Sequence, residues 1–499
     1  MKSYSKYIIH YCFIASLFFS SCKKDLLDVT PPDQLSTTVF WKTEADADLA
    51  LTGLYNYLYA SGGGYATSQY TIVSWDNYSD DSYGQYNYGG GTSALRSGIT
   101  PSSSEFVANY YVNNYRAIAA INSFLANVGK VLSGNKLTAY KGEAYFLRAF
   151  NYFWLAQLYG NVPIVKDDPF GMDYKNGLAK SERADVLKFI ESDLDSAIAA
   201  LPNTTYSSGH AVKSTAQGYK VRVLLFEKKY AEAAALAKQI ITDNFYSLNP
   251  NYASNFYKPD QNNSKEIMFS VKYLLPNIQH QDVAIAVHLQ RWKGELGTKD
   301  LINEYEAGDP RKTMTFFMPG DTKAEGWPFT GDLSVATPGK DSWIEGYYAV
   351  KKWLTPGLVN PDYGALDDND YVLLRFADIK LMYAEAQNEA VGPDASVYQQ
   401  VNEVRARPGV NMPPLPQGLS KDQMRERIRH ERRVEFAMEG LRYFDLRRWG
   451  IAEQKLNGFI PNPLAPTVKT KYESKYEFWP IPQTEVDRNK PVLVQNPGY

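Results

Sequence analysis

Trp75, Tyr78, Tyr83, Tyr86 and Tyr88 follow one another in a Gly-rich stretch that also carries Asp76, Asn77, Asp80, Asp81 and Gln85. Flat rings beside amides and carboxylates suit a sugar, whose C–H faces are apolar and whose rim is hydroxyl. Trp75, Asp76, Asn77, Tyr78, Tyr83 and Tyr86 are therefore candidate ligand-binding residues. A second aromatic set holds Trp292, flanked by Arg291 and Lys293, then Trp327, Trp343, Tyr347, Tyr348 and Trp353. From it, Trp292, Trp327 and Trp343 join the candidates. Taken singly, each ring is expected to pack a small core that holds its loop. Taken as a set, two or three are expected to line an exposed site, because these loops offer few aliphatic residues to hide them.

The sequence shows no Gly-x-Ser-x-Gly elbow, no phosphate-binding loop and no His-Glu-x-x-His pair. Two Asp clusters, Asp76 with Asp80 and Asp81, and Asp367 with Asp368 and Asp370, have the chemistry for a glycosidase pair or for calcium. Asp-rich loops are more often turns or caps, and Asp370 stands where a helix cap belongs, just before Tyr371. No catalytic residue and no metal ligand is assigned, and a structural calcium ion is the one cofactor left open. His210, His280, His288 and His430 lack metal-ligand spacing and read as surface or packed histidines.

The elements that must position these residues are mostly helical. Thr43 and Asp46 form a capping arrangement, followed by Ala47, Ala50, Leu54, Tyr57 and Leu58 on one face. Further helices are predicted from Ser102, over Thr138–Tyr159, over Glu182–Leu201 with Pro202 as the stop, and as a tight pair over Ser214–Lys229 and Ala231–Asp243. The small residues of KKYAEAAALAKQI suit two helices crossing closely, as in a tetratricopeptide unit. Between them lie two long insertions, 62–104 and 244–369, where KEIMFSVKY alternates like a strand. A C-terminal helical region spans 370–450, with helix pairs expected over 371–390 and 394–449. Its last helix is read from Ser420, which makes a capping box with Gln423, to about Trp449. Tyr472–Pro482 reads as extended and packed back around Trp479.

Eight arginines lie between Arg425 and Arg448, but Glu426, Glu431, Glu435, Glu439 and Asp445 are interleaved with them. Arg427 and Glu431 attract at four-residue spacing, whereas Glu435 and Glu439 repel. Partners elsewhere must compensate, so an internal ion-pair network is expected here rather than a polyanion site.

With 499 residues and a net charge of −2, the chain has no electrostatic reason to seek nucleic acid or anionic lipid. Lys2 and Lys6, an apolar run over Tyr7–Phe19, and Ser20-Ser21-Cys22 make a signal peptide, 1–21, with Cys22 as the lipidation site. Phe19 makes that lipoprotein pattern a loose one. Cys12 leaves with the leader, so no disulfide is available. Residues 22–35 read as a tether, and lipid is the expected membrane attachment.

RFADIKLMYAEAQNE (375–389), VNEVRARPG (401–409), IRHERRVEFAMEGLRYFDLRRWG (428–450), GEAYFLRAFNYFWLAQLYGNVPIV (142–165) and the terminal PIPQTE and QNPGY resemble the SusD/RagB family of outer-membrane nutrient-binding lipoproteins. The resemblance implies a single mainly α domain over 22–499, a superhelix of tetratricopeptide-like helix pairs with long loop insertions and a few short strands, whose loops build the ligand face. It implies an oligosaccharide ligand handed to a SusC-like TonB-dependent transporter at the cell surface. A peptide ligand, as in RagB-like members, a surface glycosidase and a protein-binding adaptor remain the alternatives.

Overall fold

The computed structural model describes residues 40–59, 72–84, 105–168, 177–277, 295–318, 321, 348–356, 368–461 and 469–499. Helix α1 (Glu44–Asn56) opens on the expected capping box between Thr43 and Asp46 and buries Ala47, Leu51 and Leu54. A 3-10 turn over Ile72–Tyr78 leads into strand β1 (Ser82–Gly84). Helices α2 (Glu105–Asn127) and α3 (Gly134–Leu158) follow, and α3 is buried all round from Phe146 to Leu158, as a helix inside other protein must be. At Gly142 a Cβ would stand 2.9 Å from the Ala200 Cβ, so glycine permits the close crossing of α3 with α4 (Arg183–Ala200).

The tight pair is present as α5 (Lys213–Phe226) and α6 (Tyr230–Thr242), with Ala233, Ala234 and Ala237 at the buried crossing. Strands β2 (Ile267–Val271) and β3 (Glu295–Gly297) precede the short helices α7 (Lys299–Glu304) and α8 (Arg311–Thr315), then β4 (Tyr348–Ala349) and β5 (Tyr371–Arg375). The C-terminal region holds α9 (Phe376–Ala390), α10 (Ala395–Arg405), α11 (Lys421–Glu435), α12 (Arg442–Arg448), α13 (Ala452–Leu456) and α14 (Gln483–Arg488). Each long helix packs on the next, α2 through α6, and then α6 meets α9 across the insertion, with α9 against α10 and α11. This is the mainly α scaffold of helix pairs that the sequence implies.

Two expectations change. The helix read from Tyr371 begins as a strand: β5 pairs antiparallel with β2, and both are wholly buried. Tyr-Val-Leu-Leu has no alternation because both faces are covered, and such a run cannot be told from helix by periodicity. Asp370 accordingly caps no helix; it accepts from the Tyr273 N–H (3.0 Å) and pairs with Lys272 and Lys258. The long helix from Ser420 keeps its capping box but stops at Glu435, and the chain turns through Met438 (φ 64°) and Gly440 (φ 74°) before α12. Charge spacing runs across this break unmarked, whereas Gly440 tolerates the left-handed backbone that makes it.

The signal peptide, Cys22 and the tether lie outside the described residues. Among the described residues no helix is long and apolar enough to cross a membrane.

Candidate functional site

The 72–84 element is where the aromatic candidates first meet the fold. Trp75 is 3% exposed. Its ring stacks on Trp154 of α3 at 5.9 Å and 13°, and meets Tyr110 at 5.0 Å, Phe444 at 5.3 Å and Trp479 at 5.8 Å. Tyr78, buried too, packs on Tyr443 and Trp479. Asp76 accepts the Gly440 N–H at 2.9 Å, and Asn77 accepts the Ser82 hydroxyl at 2.8 Å while its amide reaches Glu295 at 3.4 Å. These four residues therefore present no open face to a sugar, which corrects the reading of Trp75, Asp76, Asn77 and Tyr78 as ligand-binding residues. The aliphatic-poor loop does have an interior to hide in. It is supplied by α2, α3, α12 and the Trp479 segment, all far away in sequence.

Trp353 belongs to packing as well: it is fully buried, its indole N–H donates to the Met438 carbonyl at 2.9 Å, and its ring meets Phe256 at 5.0 Å. Tyr83 stands differently, half-buried on β1. Tyr86, Trp292, Trp327 and Trp343 lie outside the described residues. The residues that border them are placed, however, on one three-stranded antiparallel sheet in the order β1-β3-β4. Gly84 pairs with Glu295, so the segment leading to Tyr86 and the one arriving from Trp292 attach to adjacent strands at the same end of the sheet. Tyr348, which follows the Trp343 segment, pairs with Gly297 at the other end, two residues along β3.

Behind this sheet the charged residues form the internal network expected from the Glu435–Glu439 conflict. Arg375 answers it directly, donating to Glu435 Oε1 at 2.6 Å and, through Nε and Nη2, to both Glu439 oxygens at 2.8 and 2.7 Å. Arg407 and Arg311 add bonds to Glu435 at 2.7 and 2.8 Å, and Lys352 donates to Glu439 at 2.6 Å. Burial would raise the Glu435 carboxyl, but Arg407, Arg375 and Arg311 outweigh it and hold it well below the usual range. Burial likewise pulls Lys352 down to about 8 against the Glu439 charge. Sequence spacing flagged the need for partners here but not their identity, since Arg375 and Lys352 come from β5 and the segment after β4.

The Asp pair one would test for glycoside hydrolysis is tied up in the same way. Asp80 takes a bidentate bond from Arg442, 2.8 Å on each arm, and Asp81 accepts Arg433 Nε at 2.7 Å. Burial, with Asp80 adding to it, pushes Asp81 up to about 6 against Arg433 and Arg442; Asp80, though buried, is held low by those two guanidiniums. Asp368 and Asp370 face Lys258. His210 pairs with Glu143, and His430 with Glu304 and Glu306. Among the described residues no group of three His, Cys, Asp or Glu side chains has the geometry for a metal ion. A cavity of ≈ 30 Å³ between α3, α5, α9 and α12, lined by Phe153, Trp154, Leu225, Met382 and Phe444, has room for a water and not for a sugar ring.

Comparison with known proteins agrees with this architecture. Residues 25–225 match a family described as starch-binding and associating with the outer membrane, and residues 226–499 match the SusD family. SusD-like protein P2 of Formosa agariphila is 25% identical over 95% of this chain and 96% of its own length. A SusD-like protein of Bacteroides ovatus is 24% identical over 87% of this chain and 81% of its own. The crystal structure of a SusD-like carbohydrate-binding protein from Bacteroides fragilis superposes with a TM-score of 0.81 at 25% identity, covering 91% of this chain and 99% of that one. The fold of a laminarin-binding SusD-like protein matches with a TM-score of 0.71 at 24% identity, over 92% of this chain and 100% of that one. Matched over more than half its length, and with that family's fold, the chain belongs to the SusD family.

Proposed function

We propose that this chain is a lipid-anchored protein of the outer membrane's outer face that binds an oligosaccharide and delivers it to a SusC-like TonB-dependent transporter, without chemistry of its own. The observation that carries the reading is the pair of adjoining family matches over 25–225 and 226–499, joined to a carbohydrate-binding relative of known structure that superposes on 91% of the chain. The sheet β1-β3-β4 supports a location: it gathers the borders of the segments that bear Tyr86, Trp292 and Trp343, with half-buried Tyr83 on its first strand. The segments bearing Tyr86 and Trp292 attach at the same end of adjacent strands, and stacking rings there beside amide groups would hold a sugar by its apolar face and hydroxyl edge. Cys22 would carry the lipid, and 22–35 the tether.

The test is calorimetry of the mature chain without Cys22 against maltoheptaose, laminarihexaose and a pool of oligopeptides. Saturable glycan binding is expected, weakened about tenfold by Trp292→Ala or Tyr86→Ala, as for loss of a central aromatic anchor. Binding of peptides alone would replace the sugar by a RagB-like ligand. Glycan shortening, seen by chromatography of the same mixtures, would make the protein a glycosidase.

A further inference from the structure

Arg433 sits on α11 and is 6% exposed, yet its guanidinium serves two pieces of chain far from its own. Nε donates to Asp81 Oδ1 at 2.7 Å, Nη1 to Glu304 Oε2 at 3.1 Å, and Nη2 to Asp300 Oδ2 at 2.7 Å and to the Asp80 carbonyl at 3.3 Å. Asp80 and Asp81 lead straight into β1, while Asp300 and Glu304 lie on α7, which leaves β3 through Thr298. Thr298 closes the arrangement: its N–H donates to the Asp81 carbonyl at 2.9 Å, its hydroxyl donates to the Asp80 carbonyl at 2.6 Å and accepts the Leu301 N–H that starts α7. The Ser82 and Gly297 end of the sheet is thereby tied to α11 by one side chain. The Gly84 and Glu295 end is where the segments bearing Tyr86 and Trp292 attach.

We infer that Arg433 is a positioning residue for the ligand face, fixing β1 and β3 on α11 so that Tyr83 and the neighbouring loop borders keep their mutual geometry. This rests on the reading of the face as a glycan site. The planar fork is what the geometry uses, since the three nitrogens reach acceptors in different directions; a lysine ammonium keeps the charge but cannot span them. Two strands of three residues have little ladder of their own, so their alignment depends on such anchors.

The experiment compares Arg433→Lys and Thr298→Val with Arg148→Lys, which weakens an equally buried bidentate pair, Arg148–Asp193, between α3 and α4. Calorimetry uses maltoheptaose and laminarihexaose, and amide hydrogen exchange reads β1 and β3. The expected result is an affinity about tenfold lower and faster exchange in both strands for Arg433→Lys and Thr298→Val, with neither change in Arg148→Lys at a similar loss of melting temperature. Unchanged exchange in β1 and β3, or an equal affinity loss in Arg148→Lys, overturns the inference. Should the unsubstituted chain bind neither sugar, the glycan reading fails by itself, and the exchange of β1 and β3 in Arg433→Lys still decides whether the clamp exists.

Discussion

Asp76 and Asp80 are four residues apart, equally hidden from water, and in opposite electrostatic circumstances. Asp80 faces the Arg442 fork, with Arg433 Nη2 at 3.2 Å from its second oxygen. Asp76 has only the Gly440 N–H on Oδ2, and its Oδ1 has no protein partner among the described residues. Burial, reinforced by the Asp81 charge, pushes Asp76 well above the ordinary carboxylate range. The two asparagine variants should then diverge. Asp76→Asn puts a neutral amide of the same shape where the charged form has no cation beside it among the described residues and is expected to change stability by less than about 1 kcal/mol. Asp80→Asn takes the paired charge from buried Arg442, whose other carboxylate, Asp81, stands 3.9 Å away, and is expected to cost about 3–5 kcal/mol. Denaturant melts of the two proteins measure the difference, and equal losses would mean that Asp76 is ionised.

At the scale of elements, one buried carboxylate helps to attach α1. Glu143 of α3 accepts the Tyr55 hydroxyl of α1 at 2.6 Å and meets His210 Nδ1 at 2.7 Å, and the Ala211 N–H donates to that same tyrosine oxygen at 2.7 Å just before α5. The hydrogen bond with Glu143 raises His210 above its ordinary value of 6.5, partly offset by its burial. A raised histidine contributes stability that is fully present below its unfolded value and is lost as pH rises through the folded one. The melting temperature of the natural chain should therefore exceed that of His210→Gln at about pH 5.5, and the gap should narrow toward about pH 8.5. A gap that does not move with pH would mean that the ring acts only by packing on Tyr55, 4.8 Å away. The break between α11 and α12 works at this scale too. Ending α11 at Glu435 lets the Gly440 N–H reach Asp76 and aims Arg442 at Asp80, contacts that one straight helix would not make.

Across the whole molecule, the two family matches meet between residues 225 and 226, inside the last turn of α5, so that point is no structural boundary. The larger apolar core runs from Ala47 to Leu493 across it, beside a smaller one around Leu381, Val401 and Ile428. Trp75 and Trp154 from the first part pack with Phe444 and Trp479 from the second, and Asp80 and Asp81 find their cations on α11 and α12. Residues 25–225 and 226–499 made as separate polypeptides are therefore expected to lack cooperative melting and to bind a hydrophobic dye. Mixed during refolding, they should recover native circular dichroism; a cooperative melt from either piece alone would show that the core is two cores.

Much of this protein is written locally. Capping boxes at Thr43 and Ser420, the alanine crossing of α6 and the stop at Pro202 depend on neighbours within a few residues, and the structure has them where their spacing puts them. The repulsion between Glu435 and Glu439 even announced that buried cations were needed. Which cations they are, and whether Trp75 faces a sugar or the interior, depended on chain segments up to several hundred residues away. A loop poor in aliphatic residues can be exposed, or it can borrow its interior from others. Burial is a property of the space between elements, and only the packing of α2, α3, α12 and the Trp479 segment around one turn decided that Trp75 belongs to the core.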